Sequence, residues 1–179
     1  MELDVKINEI EENLLVVESA PEELVQEDDR ERFRKAERDV LYGFLGLNDI
    51  IQGADMTKVE RLASWGLAKQ LDPALLWRVV NVVFHIIETS DYEAISAGKN
   101  VIQELALMQA TRACGIALQL DALADYNILN SGQRQKIFTR LKDTRDMPEN
   151  VARCVGIFAN MELIRLANIQ RILFEYTKK

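Results

Sequence analysis

Histidine occurs once in these 179 residues, at His85, and cysteine twice, at Cys114 and Cys154. A lone imidazole excludes a multi-histidine metal set and leaves one candidate base for activating a serine or cysteine nucleophile. The cysteines form no CxxC pair, so they read as reduced, packed thiols rather than a disulfide or a zinc site. Glycine (8) and proline (3) are also sparse. That scarcity argues against a disordered chain, and the scattered glycines make no GxxxxGK or GxGxxG loop to cradle a phosphate. Long hydrophobic runs are missing as well. The most apolar stretch, Leu75 to Ile87, is broken by Arg78, Asn81 and His85 and is too short to cross a bilayer. The opening Met1-Glu2-Leu3-Asp4-Val5-Lys6 has no basic start or apolar core of a secretory signal. Together these absences give the expectation of a cytoplasmic protein with no membrane span, resident cofactor or metal.

Apolar residues nonetheless make up 48% of the chain, enough to bury one sizeable core, and the expectation is a single domain over residues 1–179. The formal charge is −7, unevenly distributed: residues 1–39 hold 14 acids against 6 bases. An acidic head repels nucleic acid and anionic membranes, which disfavours both as partners.

The apolar spacing is helical almost throughout. Leu3, Ile7, Ile10, Leu14 and Val17 recur at steps of four and three, the stripe of an amphipathic helix over residues 1–20. Ser19-Ala20-Pro21-Glu22 has the spacing of a capping box with proline in a first turn, and predicts that a second helix starts there. That helix either runs to Gln52 or breaks in the charged cluster Glu27–Glu31. Gly43 and Gly46 would kink it or admit a close neighbour, and Gly53 closes it.

Asp55 or Thr57 caps a third helix to Leu71, and Asp72-Pro73 opens a fourth to Glu88, with a buried strand as the rival reading of its β-branched residues. A cap at Asp91 begins a stretch to Tyr126 rich in small residues, which let helices approach closely. Asn130-Ser131-Gly132 begins a short helix to Lys142, and Asp146-Met147-Pro148 a long final one to Tyr176. The predicted fold is therefore all-α, a bundle of six to seven helices. The glycines at 53 and 132 and the prolines at 73 and 148 leave open two pseudo-repeated three-helix units, 27–88 and 91–176, beside the first helix.

Several constellations could carry chemistry. His85 and Glu88 share a helical face at metal-ligand spacing, and Asp121 and Asp125 stand one turn apart, as carboxylates holding a metal–diphosphate do. Neither pair has the further ligands such a site needs, so a core histidine and a solvated acidic face are the favoured readings. Arg134, Lys136, Arg140, Lys142 and Arg145, with Arg153 beyond, form a modest basic patch. The functional expectation is a non-catalytic helical interaction module, a scaffold, adaptor or regulator. It would bind a protein partner or itself, with Leu3, Ile7, Ile10, Leu14 and Val17 as the candidate contact surface. The alternatives are a nucleic-acid-associated regulator using the basic patch and a metal- or diphosphate-dependent helical enzyme.

Overall fold

The computed structural model describes residues 2–21, 23–53 and 58–177, which contain eight α-helices and no strand. They are α1 (Glu2–Glu18), α2 (Glu27–Gln52), α3 (Lys58–Trp65), α4 (Pro73–Glu88), α5 (Tyr92–Ser96), α6 (Val101–Leu123), α7 (Ser131–Lys142) and α8 (Glu149–Thr177). A 3-10 turn over Gly66–Gln70 continues α3.

Local chemistry explains most helix ends. The Asp72 carboxylate accepts the Ala74 N–H with Pro73 in the first turn, which makes Leu75–Ile87 a helix and not a strand. Asn130 and Gln133 form a reciprocal capping box on α7. The small-residue stretch after Asp91 divides in two, because Gly98 adopts φ of +70° and ends α5 before Asn100 caps α6. The expected start of a helix at Ser19–Glu22 is corrected: α2 begins at Glu27. The Ser19 hydroxyl donates back to Val16 O and so helps to close α1 instead of capping a new helix. Glu27, Asp28 and Asp29 then supply the negative first turn that a helix dipole favours. Glu22, Asp55 and Thr57, the other expected capping residues, lie outside the described residues.

Helix α6 is the central column, buried almost all round from Ala106 to Ala124. Its neighbours α2 and α8 run parallel to it. Gln119 bonds Gln52 on one side and Glu162 on the other, while Ser96 meets Asn150 near the start and Tyr126 meets Gln170 near the end. Between α6 and α8 the approach is close: a methyl group on Gly115 would lie 2.4 Å from Glu162 Cβ. On the far side, α1 packs antiparallel along α2, with Ile10 over Gly43 and Lys6 over Gly46. The two glycines thus admit a neighbour. The Glu18–Arg78 bond ties the end of α1 to α4.

At the prolines the repeat spacing pairs like positions, Pro73 opening α4 and Pro148 directly preceding α8, whereas at the glycines it pairs different roles. Gly53 closes α2, whereas Gly132 sits in the first turn of α7. Among the described residues no helix is long and apolar enough to cross a membrane.

Candidate functional site

A run of polar side chains crosses the interior where α2, α6 and α8 meet. Arg165 Nε donates to Gln52 Oε1 at 3.0 Å, and Gln52 Nε2 donates to Asn48 Oδ1 at 2.7 Å and to Gln119 Oε1 at 2.8 Å. Gln119 Nε2 then donates to Glu162 Oε2 at 2.7 Å and to the Glu162 carbonyl at 2.9 Å. Arg112 Nε reaches the other Glu162 oxygen at 3.3 Å, and its Nη1 donates to Gln109 at 2.8 Å. Gln119 has no exposed surface. Gln52 and Gln119 each accept on one side and donate on the other, as buried amides must. The run opens into a cavity of about 370 Å³ lined by Asn48, Asp49, Gln52, Gly53, Arg112, Glu162 and Arg165. A second hollow of about 270 Å³ shares Gly53 and Arg165 with it and adds Arg61, Trp65 and Arg171.

Sequence reasoning did not find these residues. The available signal was polar letters at apolar positions: Glu162 interrupts the buried stripe Val151, Val155, Ala159, Leu166, Ile169, and Gln119 lies inside the most apolar part of α6.

The expected pairs are placed elsewhere. His85 is exposed, which corrects the core-histidine reading; its Nδ1 bonds the buried Glu37 carboxylate on α2, with Phe33 edge-on to its ring, and Glu88 takes no part. Burial pushes the Glu37 carboxyl above its usual range, and the hydrogen bond to His85 partly opposes this. The nearby hydroxyls of Thr89 and Ser90 donate to the His85 and Ile86 carbonyls, and the adjacent hollow is only about 50 Å³.

Asp121 and Asp125 neither share a ligand nor form a solvated acidic face, which corrects the latter reading, because Asp121 is buried and only Asp125 is exposed. Asp125 lies beyond the end of α6 at φ of 56° and pairs with Lys69. Asp121 is buried and accepts Ile128 N–H, Leu129 N–H and Arg134 Nε. Among the described residues no group of three or more His, Cys, Asp or Glu side chains is placed to hold a metal.

The basic patch is dispersed by its own partners. Arg134 turns inward to Asp121 and to the Tyr126 and Leu129 carbonyls. Lys136 stands over the Trp77 ring, Arg145 bonds Asp143, and Arg153 bonds Glu149. Arg140 is half-buried beside Tyr92, and Lys142 is exposed at the end of α7.

The α1 stripe lies against this chain's own α2 and α4. Leu3, Ile10 and Leu14 are buried, and Ile7 and Val17 pack on the same core. A different stripe faces outward. Ile157, Met161 and Ile164 of α8 are 53, 59 and 62% exposed and are spaced at steps of four and three, opposite the buried face of the same helix. Cys154, also exposed, extends the series by one step, and Val101, Ile102 and Leu105 are exposed at the start of α6.

No protein-family model matches the chain, and no curated protein or solved structure is similar to it.

Proposed function

We propose that the chain is a non-catalytic helical interaction module that associates with a second copy of itself through α8. The observation that carries this reading is the exposed series Ile157, Met161, Ile164. Steps of four and three are the seam spacing of paired helices, and large apolar residues at that spacing on a water-facing surface leave unused contact area. A second copy is the partner that best suits the series. With two α8 helices antiparallel, Met161 of each faces Ile164 of the other, so one patch supplies both sides of a two-fold interface. The α1 stripe offers less area, since Leu3, Ile10 and Leu14 are buried in this chain's own core and Ile7 and Val17 are partly so.

Six half-exposed side chains buried across two copies yield roughly 5–8 kcal/mol, from which association costs are subtracted. Weak pairing is the consequence, with a dissociation constant on the order of a millimolar. Sedimentation velocity over a concentration series tests this. The chain should shift from monomer toward dimer as concentration rises, and Ile157→Glu with Ile164→Glu should remain monomeric with an unchanged helical spectrum. A native chain that stays monomeric throughout, or a double variant that still dimerises, refutes the proposal.

A further inference from the structure

Helix α6 is buried almost all round from Ala106 onward, yet its first turns turn large apolar side chains to water. Val101, Ile102 and Leu105 are 70, 61 and 50% exposed. Adjoining apolar surface of this kind marks a contact site. The helix beside it is α2. Arg34, Glu37 and Arg38 of α2 line one hollow with Gln103 and Ala106 of α6, and farther along Gln52 bonds Gln119. The two helices therefore run side by side, and a groove follows their line of contact. Tyr42, one turn beyond Arg38 on the same face of α2, is 39% exposed and adds to the apolar strip.

The α2 wall of this groove is cationic. Arg34 is exposed and Arg38 half-buried, and neither makes a hydrogen bond or ion pair among the described residues. Their charged neighbour in the hollow, the Glu37 carboxyl, is buried and already bonded to His85. Lys35 of the same helix, by contrast, is paired with Asp39. Glu27 and Glu31 offset Arg30 toward the start of α2, so the excess positive charge sits at Arg34 and Arg38. Unpaired cations one turn apart beside an apolar strip suit a partner of opposite charge. A lone anion would leave the strip bare, and the hollow of about 50 Å³ is too small for an organic ligand. The α8 seam of a second copy is a poor match, since the cations Arg153 and Arg165 flank it in sequence. An amphipathic helix with acids along one edge of its apolar stripe fits both the strip and the arginines.

We propose that the groove between α2 and the first turns of α6 docks an acidic amphipathic helix of a protein partner. The apolar side of that helix lies on Ile102, Leu105 and Tyr42, and its carboxylates meet Arg34 and Arg38. The surface uses none of the α8 seam residues and does not depend on self-association.

The probe is a fluorescein-labelled synthetic helix with leucines at heptad spacing and glutamates flanking them, compared with the same helix carrying lysine in place of glutamate. Fluorescence anisotropy with the full chain should show saturable binding of the glutamate helix, weakened several-fold by added salt. The lysine helix should bind more weakly by about tenfold or more. Reversing both charges, Arg34→Glu with Arg38→Glu, should reverse that preference, an outcome that loss of fold cannot produce. Ile102→Ser with Leu105→Ser should weaken the glutamate helix by about tenfold, whereas Ile157→Glu with Ile164→Glu should leave it unchanged. Circular dichroism confirms that each variant is folded. The proposal is overturned by absence of binding at millimolar chain, by equal binding of the two helices, or by a charge reversal that leaves the preference intact. Binding of phosphatidylserine vesicles in place of the helix would make the patch a lipid surface and overturn it equally. So would loss of self-association in the Arg34→Glu, Arg38→Glu chain, which would make a second copy the occupant.

Discussion

Two glutamates show how position alone sets the behaviour of one side chain. Glu37 is buried, and the loss of hydration raises its carboxyl pKa despite the His85 bond and the nearby Arg34 and Arg38. Glu18 is partly exposed, and the hydrogen bond from Arg78 lowers its pKa. Linkage gives these opposite signs. The folded state holds a proton on Glu37 more tightly than the unfolded chain does. Its contribution to stability is therefore present below the ordinary value of 4.5 and is lost as pH rises through the raised pKa. The Glu18 contribution is present above 4.5 and is lost as pH falls through the lowered one. Chemical denaturation of Glu37→Gln and Glu18→Gln beside the native chain checks this. The stability difference, native minus variant, should shrink with rising pH for Glu37 and grow with rising pH for Glu18. The Glu18 effect should reach only about 0.5–1 kcal/mol, because solvent screens that pair. Parallel slopes would contradict the account.

The same contrast marks what could be read from residues in sequence order. Asp72 and Asn130 act on backbone within three residues, so the helix starts they mark were legible, while the reciprocal part of Gln133 was not read. Gln52, Gln119, Glu162 and Arg165 meet only because three helices bring them together, and no local spacing announces that. Asp121 and Arg134 were each singled out, for a metal pair and a basic patch. Their partnership across the α6–α7 turn removes both residues from those tasks.

At the scale of elements, the apolar period determined which segments are helices, but their partners depend on contacts distant in sequence. The α1 stripe illustrates the point, since its pattern suits a neighbouring helix of either this chain or another. Gly43 decides the matter by admitting Ile10, whose side chain would lie 2.9 Å from a methyl group at that position. Leu3, Ile10 and Leu14 then belong to the core with Val40, Phe44 and Leu47. Their burial, with Ile7 and Val17, is worth on the order of 10 kcal/mol before ordering costs of similar size. Removing residues 2–18 should therefore lower the midpoint of thermal unfolding sharply and promote binding of an apolar dye to the bared α2 face. A truncated chain that melts like the full one would show that α1 is dispensable to the fold.

For the whole molecule, the arrangement of α2, α6 and α8 gives two surfaces with different chemistry. Inward, the three helices enclose a polar cleft whose arginines are held in fixed planes by Gln52 and Glu162. Outward, α8 repeats on its solvent side the apolar spacing it uses against α6. A helix that buries one stripe and exposes a second is suited to lie between two layers, here its own bundle and that of a second copy. Antiparallel pairing of that outer stripe is the central claim, and disulfide trapping tests it most directly. Facing positions of two paired helices bring their Cα atoms within about 7 Å, the reach of a disulfide. When chains carrying Met161→Cys and Ile164→Cys, both with Cys154→Ser, are mixed under mild oxidation, the 161–164 heterodimer should form fastest, and the exposed control Arg153→Cys should cross-link slowly. Cross-linking of the mixed pair no faster than that control would contradict the antiparallel α8 interface.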